Sequence, residues 1–327
     1  MKNFYFLSHD NFNPAFNLAS EEFLLKNKKE YFIYLWINSP AVIVGVNQNA
    51  FNEVNLNFVN ANNIPVIRRL TGGGAVYHDK NNICYTVIAP YNDGSDGYKA
   101  FITPVIEYLK SLGINALFQG RNDITVDGKK ISGMAQTVVG DRILHHGTLL
   151  FDTDFTALEG ALKPNKLKIE SKGIKSVRAR VTNIKSHLGS ALSNMTAIEF
   201  YNGLCKFLSK NLPRYNFTES DLKEINKLAL DKYSNYAWNM GNSPKGNITV
   251  EKRYSFGTMA LNFNLIDGLI QDTSIFGDFF TIKNVEEFSS LFNGLKFNLE
   301  SLTPVINRVG EFIKDAKACE ILESIFE

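Results

Sequence analysis

Cysteine is scarce in this sequence: Cys84, Cys205 and Cys319 are the only three in 327 residues, far apart and in no CxxC pair. That excludes a disulfide framework and a cysteine-based structural zinc site, and it suits a reducing compartment. An excess of one charge is also lacking, since 35 Lys and Arg against 33 Asp and Glu leave a formal net charge of +2. Bulk charge therefore gives no reason to expect a nucleic-acid partner. Long apolar runs are missing too, and nothing approaches the ~18 residues that a membrane span needs. The N-terminal MKNFYFLSHDNFNPAFN carries Asp and Asn early, so it does not read as a secretory signal. There is no repeat and no low-complexity tract. These exclusions leave a soluble, cytoplasmic protein with no membrane partner, expected to be a monomer. What is plentiful is apolar: 44% of residues are hydrophobic, enough for a large core. The length suits about two domains.

NPAFNLASEEFLLKNKK predicts a helix with Asn13 as its cap and Pro14 in its first turn. YFIYLWI (31–37) and AVIVGV (41–46) predict two buried strands, and IPVIRRL and NICYTVIAP two more. Over 98–112 an amphipathic helix places Phe101, Ile102, Val105, Ile106 and Leu109 on one face and stops at Gly113. DITV, KKISGMAQTVV and RILHHGTLLF predict strands joined by the turns DGKK and VGDR. Helices are expected over 154–162, 196–212 and 218–238, with the basic loop KLKIESKGIKSVRARVTN between the first two. Beyond the turn-rich GNSPKGN (241–247), MALNFNLIDGLIQDTSIFGDF predicts a hairpin around Asp267-Gly268, and two or three helices close the chain. The expected organisation is a mixed α/β domain over 1–245 and a small α+β domain over 246–327, hinged at 241–247.

Four constellations stand out chemically. In RRLTGGGAVYHD (68–79) the glycines follow a strand, where bare backbone admits a ligand and its N–H groups favour an anion. No Gly-Lys-Ser/Thr follows, so this is no Walker loop, and AVYHD continues as a strand instead of opening a dinucleotide-binding helix. Arg68 and Arg69 would point to opposite faces, Arg69 toward a ligand and Arg68 into a structural ion pair. His78-Asp79 cannot both enter one site from adjacent strand positions, which favours a substrate-shaping or structural histidine. In GRNDITVDGKKISGMAQ (120–136), Lys130 begins a strand that carries Ser132 and Gly133. It suits stabilisation of an anion, while Asn122 and Asp123 suit a ribose, a phosphate or Mg²⁺, or an Asx turn. HHGTLLF allows only one of His145 and His146 to face a cleft. Lys172, Lys175, Arg178 and Arg180 crowd around Gly173 and read either as an anion-closing lid or as a solvated basic loop. No serine sits in a GxSxG elbow. Cys84 reads as a buried thiol, and Cys205 and Cys319 as core positions on helices.

RRLTGGGAVYHD, GRNDITV, KKISGMAQ, HHGTLLF and KGIKSVRARVTN, in this order across residues 20–190, resemble the bacterial lipoate–protein ligase family, and a small C-terminal domain extends the likeness. The resemblance implies a catalytic core of the biotin/lipoate ligase type, related to class II aminoacyl-tRNA synthetases. It implies ATP-dependent activation of lipoate to lipoyl-AMP with release of pyrophosphate, then transfer to a lysine of an acceptor. Acceptors would be lipoyl domains of 2-oxoacid dehydrogenase acyltransferases or a glycine-cleavage H protein, and the cofactors ATP with Mg²⁺. Carried over residue by residue, Lys130 is the pocket lysine between the acyl carbonyl and the phosphate. Arg69, Gly74, Ala75, Val76, Tyr77, Asn122, Asp123, Lys172, Gly173, Arg178 and Asn183 fall on the nucleotide side, with Asp123 also a possible metal ligand. Thr71, Gly72, Gly73, His78, Ser132, Gly133 and His146 fall on the lipoate side. The sequence departs at Thr137 and Val46, where basic residues occur in some members. Rival readings are an ATP-independent amidotransferase working through a cysteine thioester and a non-catalytic lipoyl-binding module. A biotin–protein ligase would show a GRGRxG-type loop, which is absent.

Overall fold

The structure is a computed structural model and describes residues 4–91, 98–120, 122–163, 180–241, 248–266, 269–297 and 299–326. The strands are β1 (Phe4–Ser8), β2 (Tyr31–Ile37), β3 (Ala41–Val44), β4 (Val66–Arg68), β5 (Val76–His78), β6 (Asn82–Pro90), β7 (Leu117–Gln119), β8 (Asp123–Val126), β9 (Lys129–Val139), β10 (Arg142–Leu150), β11 (Ile248–Tyr254), β12 (Gly257–Ile266) and β13 (Leu269–Gly277). The α-helices are α1 (Pro14–Asn27), α2 (Ala50–Glu53), α3 (Leu56–Ala61), α4 (Tyr98–Ser111), α5 (Phe155–Ala161), α6 (Ala197–Leu208), α7 (Glu219–Leu228), α8 (Val285–Ser290), α9 (Leu299–Ile306) and α10 (Ala318–Phe326).

A seven-stranded sheet runs β1-β2-β6-β10-β9-β8-β7, antiparallel except for the β1–β2 edge. Its strands alternate between two cores. One face sends Leu35, Tyr85, Ile143 and their neighbours against Ile102, Val105 and Leu109 of α4 and Phe200 and Leu204 of α6. The other sends Tyr34, Trp36, Ile88 and Leu144 against α1, with Ile225 of α7 and Ile43 and Ile67 of a second, three-stranded sheet. That small sheet, β4-β3-β5, is the platform of the glycine segment, and α5 packs on its far side through Leu158 and Ala161. The two strands expected at 31–37 and 41–46 therefore form, but in different sheets, and the cleft between those sheets is the notable space in the fold.

Local chemistry explains the elements. The Asn13 side chain accepts the Ala15 and Phe16 amides at 2.9 and 3.2 Å, so α1 starts where the cap and Pro14 place it. The DGKK turn has Asp127 at φ 50° and Gly128 at φ 75°, the backbone that a tight hairpin between β8 and β9 requires. The 196–212 helix ends at Leu208. The helix expected over 218–238 is α7 only to Leu228 and continues as two widened π-type turns, Ala229–Tyr233 and Ala237–Gly241. The widening lets Tyr233 donate to Glu22 Oε2 at 2.7 Å and sets the 238–239 carbonyls against Arg68.

A third core belongs to residues from Ile248 onward: β11-β12-β13 in antiparallel order with α8, α9 and α10 packed on it. The expected hairpin is present as β12 and β13, paired up to Ile266 and Leu269; Asp267-Gly268 itself lies outside the described residues. So does most of the expected hinge, residues 242–247. Cys319 corrects an expectation: it is exposed on α10, because the apolar side of that short helix is taken by Ile321. Among the described residues no helix is long and apolar enough to cross a membrane.

Candidate active site

A cavity of about 970 Å³ opens between the seven-stranded sheet and the small sheet. One end is apolar, with Leu18, Trp36, Ile43, Cys84 and Ala135 in its wall; the other carries Asn122, Asp123, Lys130 and Arg180. Residues 73–78 form a side wall.

The glycine segment is bent back on itself by Arg69. Its Nε donates to Thr71 Oγ1 at 2.9 Å, and its Nη2 to the Gly72 and Gly74 carbonyls at 2.6 and 2.9 Å. Nη1 reaches the Ile43 carbonyl at 3.1 Å. Gly73 takes φ 90°, and a Cβ there would press on the Arg69 guanidinium. Gly72 faces elsewhere: a Cβ on it would run into the Phe279 carbonyl of the C-terminal domain. Arg68 corrects an expectation. It is wholly buried, and its partners are the carbonyls of Gly45, Val46, Gln48, Trp238 and Asn239 at 2.6–3.2 Å, with no carboxylate among them. Burial lowers its pKa to about 10, so it stays protonated at neutral pH.

Lys130 stands at the first turn of β9, with its ammonium 2.7 Å from Asp123 Oδ1. Its backbone is held on two sides, because beyond its β8 pairing it bridges to Val181. The Lys130 amide donates to the Arg180 carbonyl at 2.8 Å, and the Thr182 amide donates to the Lys130 carbonyl at 2.9 Å. The ladder slips by one residue here, Ile124 pairing with Ser132 but Thr125 with Lys130. Ile131 is the extra residue of this bulge and reverses the alternation. Gly133, not Ser132, therefore lies under the lysine, and a Cβ on it would sit 2.6 Å from Nζ. Ser132 corrects the lipoate-side expectation: it is buried toward the opposite core, 3.4 Å from the Tyr85 hydroxyl.

A buried polar chain runs behind the apolar end. His146 Nδ1 lies 2.9 and 3.0 Å from the two Glu21 oxygens, and its Nε2 is 2.7 Å from Thr71 Oγ1. An ionised carboxylate only accepts, so Nδ1 carries the hydrogen, and a neutral ring then takes the Thr71 O–H on Nε2. Thr71 in turn accepts from Arg69, so the glycine segment is tied through His146 to α1. Glu21 Oε1 also accepts the Thr86 hydroxyl, which accepts Trp36 Nε1 at 2.9 Å. His145 points the other way and stacks on Phe101 at 4.0 Å. His78 lines the cavity with Nδ1 3.0 Å from the Asn38 amide, and burial together with Arg69 and His146 pushes its pKa down to about 3. Burial pushes the Cys84 thiol, on the same wall, well above its ordinary range. Asn122 pins β9 by donating to the Met134 carbonyl at 2.6 Å.

Of the residues singled out in the sequence, the cavity wall thus brings together Arg69, Gly73, Gly74, Ala75, Val76, Tyr77, His78, Asn122, Asp123, Lys130, Gly133 and His146. Thr71 is buried just behind it. Asn183 stands off the wall, its amide exchanging hydrogen bonds with the Thr153 backbone at 3.0 and 3.1 Å. Lys172, Gly173 and Arg178 lie outside the described residues. Sequence reasoning missed Glu21, Trp36 and Leu18. The antiparallel register of β2 on β6 sets Trp36 beside Cys84, a pairing that two continuous apolar runs do not reveal by themselves.

Residues 13–208 match the model of the lipoyl protein ligase A/B catalytic domain. The chain belongs to this family. Residues 243–325 match the bacterial lipoate protein ligase C-terminus. Lipoate-protein ligase LplJ of Bacillus subtilis is 41% identical over 313 residues, 93% of this chain and 94% of its own. Lipoate–protein ligase 1 of Staphylococcus aureus is 40% identical over 310 residues, 92% and 93% of the two chains. Among solved structures, LipL1 of P. falciparum in complex with lipoate superposes with a TM-score of 0.81 at 28% identity over 98% of both chains. A lipoate-protein ligase A bound with ATP gives a TM-score of 0.62 at 26% identity, covering 73% of this chain and 98% of its own. The expected fold, a lipoate ligase core with a C-terminal α+β domain, is the one observed.

Proposed function

We propose that this member of the family is an ATP-dependent lipoate–protein ligase that makes lipoyl-AMP and then acylates a lysine of an acceptor protein. The observation that carries the reading is one cavity with two unlike ends, the polar one holding the Lys130 ammonium. The apolar end beside Trp36 suits the lipoyl chain. The polar end with Asn122, Asp123 and Arg180 suits the nucleotide. Lys130, in the wall of the polar end, would neutralise both the carboxylate that reaches it and the α-phosphate.

The first step is an attack of the lipoate carboxylate oxygen on the α-phosphorus, with the bond to the pyrophosphate oxygen breaking. It needs alignment and charge neutralisation more than a side-chain nucleophile. Lys130 supplies positive charge from a backbone fixed on two sides, while Gly133 leaves its ammonium room. Arg69 folds the 72–74 backbone into the wall along which Gly74, Ala75, Val76 and Tyr77 meet the nucleotide, and its guanidinium faces the same space. In the second step the acceptor amine attacks the acyl carbon and AMP departs, with Lys130 stabilising charge on the carbonyl oxygen. Mg²⁺ fits as an ion that arrives on the triphosphate: among the described residues no three His, Cys, Asp or Glu side chains cluster into a cage, and Asp123 offers one carboxylate on the wall. Bound there, it would neutralise phosphate charge.

The acceptor class, a lipoyl domain or an H protein, comes from family membership; an archaeal bipartite lipoate protein ligase is known with its E2 lipoyl domain. We place the catalytic unit at 1–245 and the accessory unit at 246–327, in a cytoplasmic protein. A thioester relay is disfavoured by Cys84, the cysteine on the wall, whose buried thiol is held protonated. The test is pyrophosphate release from ATP with free lipoate, with and without an apo lipoyl domain. Release that Lys130→Ala abolishes supports the reading. Acyl transfer without ATP, or no release at all, refutes it.

A further inference from the structure

The cavity has a third source of wall residues, Arg253, Asp278 and Phe280, all from the C-terminal domain. Their position follows from how that domain touches the glycine segment. The Gly277 amide donates to the Asn47 carbonyl, and the neighbouring Phe279 carbonyl abuts Gly72. Asp278 lies between these two contacts and holds Arg253, whose Nη1 is 3.2 and 3.3 Å from its two carboxylate oxygens and 3.1 Å from Thr258 Oγ1. An arginine has five N–H donors in a rigid fork. Here the Nε and Nη2 donors of Arg253 have no partner among the described residues, and the side chain is 27% exposed on the cavity side of the domain contact. Two other cations on the wall, Lys130 and Arg69, are more committed, while Arg180 lines the same wall. Lys130 is paired with Asp123, and Arg69 is spent largely on Ile43, Thr71, Gly72 and Gly74.

We propose that Arg253 is a nucleotide-binding residue that the C-terminal domain lends to the cavity, where its fork holds the phosphates of ATP that leave as pyrophosphate. The inference rests on the cavity being an adenylation site, as argued above. It assigns the C-terminal domain a direct part in the first step, with Asp278 as the positioning residue that aims the guanidinium. Since those phosphates are absent from lipoyl-AMP, the second step has no use for Arg253.

The experiment uses the full chain with Arg253→Ala, Arg253→Lys and Asp278→Asn. Three readouts are taken: ATP affinity by calorimetry, lipoate-dependent pyrophosphate release, and acyl transfer from preformed lipoyl-AMP to an apo lipoyl domain. Loss of a charge-assisted contact predicts that Arg253→Ala weakens ATP about tenfold or more and raises its KM to match. Arg253→Lys is expected to recover part of this, Asp278→Asn to fall between, and transfer from lipoyl-AMP to persist. Unchanged ATP affinity in Arg253→Ala overturns the proposal, and so does an equal loss of both steps, which would mark Arg253 as merely structural. If the wild type binds ATP but releases no pyrophosphate with lipoate, the ligase reading fails by itself, and the calorimetric comparison still decides the role of Arg253.

Discussion

Gly133→Ala isolates the placement of Lys130 from its presence. A Cβ at this position would stand 2.6 Å from Nζ and 2.9 Å from Cε of Lys130, with Asp123 Oδ1 next at 3.9 Å. Ordinary contact begins near 3.4 Å, so the ammonium must move by roughly 0.8 Å, which is easy for a flexible side chain and costs the fold little. Melting temperature should therefore shift by no more than about 2–4 °C, the equivalent of about 1 kcal/mol. Catalysis is less tolerant, because a misplacement near 1 Å can cost up to about 10²-fold. The expected result is a fall of roughly 10- to 100-fold in kcat/KM for lipoate-dependent pyrophosphate release, or about 1.4–2.7 kcal/mol of transition-state stabilisation. The double variant with Lys130→Ala should be no worse than Lys130→Ala alone, because both act through one ammonium. Wild-type kinetics in Gly133→Ala would refute the claim that ammonium position matters. Additive losses in the double variant would show that Gly133 acts by another route.

Arg68→Lys keeps the charge but cannot serve five carbonyls with three donors; a loss of about 3–5 kcal/mol is expected in urea titration, and a loss under 1 kcal/mol would refute the assigned role. Gly72→Ala drives a methyl group into the Phe279 backbone, so limited proteolysis should cut faster between the two domains, whereas an unchanged cleavage rate would count against close docking there. Stability should fall as pH drops below about 6.5, because burial, the first cause for both, depresses His78 and His145 to about 3. The unfolded chain binds those protons first, so each histidine removes up to about 1.4 kcal/mol per pH unit until its folded pKa is reached. Glu22 and Asp221 carry the depressed pKa of paired carboxylates and act only further down. His9, lowered by burial to about 4, adds to the loss, and Asp79, raised by burial, offsets part of it, so the net fall from 6.5 to 5 comes from the buried histidines. Urea midpoints that stay flat across that window would disprove the assignment.

The strands were legible because their apolar runs are continuous and their turns carry Asn, Asp and Gly where positive φ is needed. Asn13-Pro14 announced α1 for the same local reason. The glycine segment and Lys130 were legible because such bare backbone between a strand and a lysine hairpin has few other uses. What was not legible depended on tertiary partners. Glu21 sits in an ASEEFLL stretch where adjacent acids look like a solvated face, yet α1 is buried nearly all round and both acids have distant partners. The bulge at Ile131 cannot be read from KKISG, and it exchanged the roles of Ser132 and Gly133. Arg253 is more than 100 residues from Lys130 in sequence and reaches the cavity only because another domain docks on the glycine segment.

The carbonyl nest around Arg68 has an electrical consequence. Dipoles soften a buried charge without cancelling it, whereas a carboxylate partner would have left no net charge. A full positive monopole therefore stays sealed one residue behind the Arg69 bend, where no counterion from solvent can reach it. Salt screens exposed lysines but not this source. The attraction that the glycine wall exerts on an anion should accordingly keep a component that survives high ionic strength.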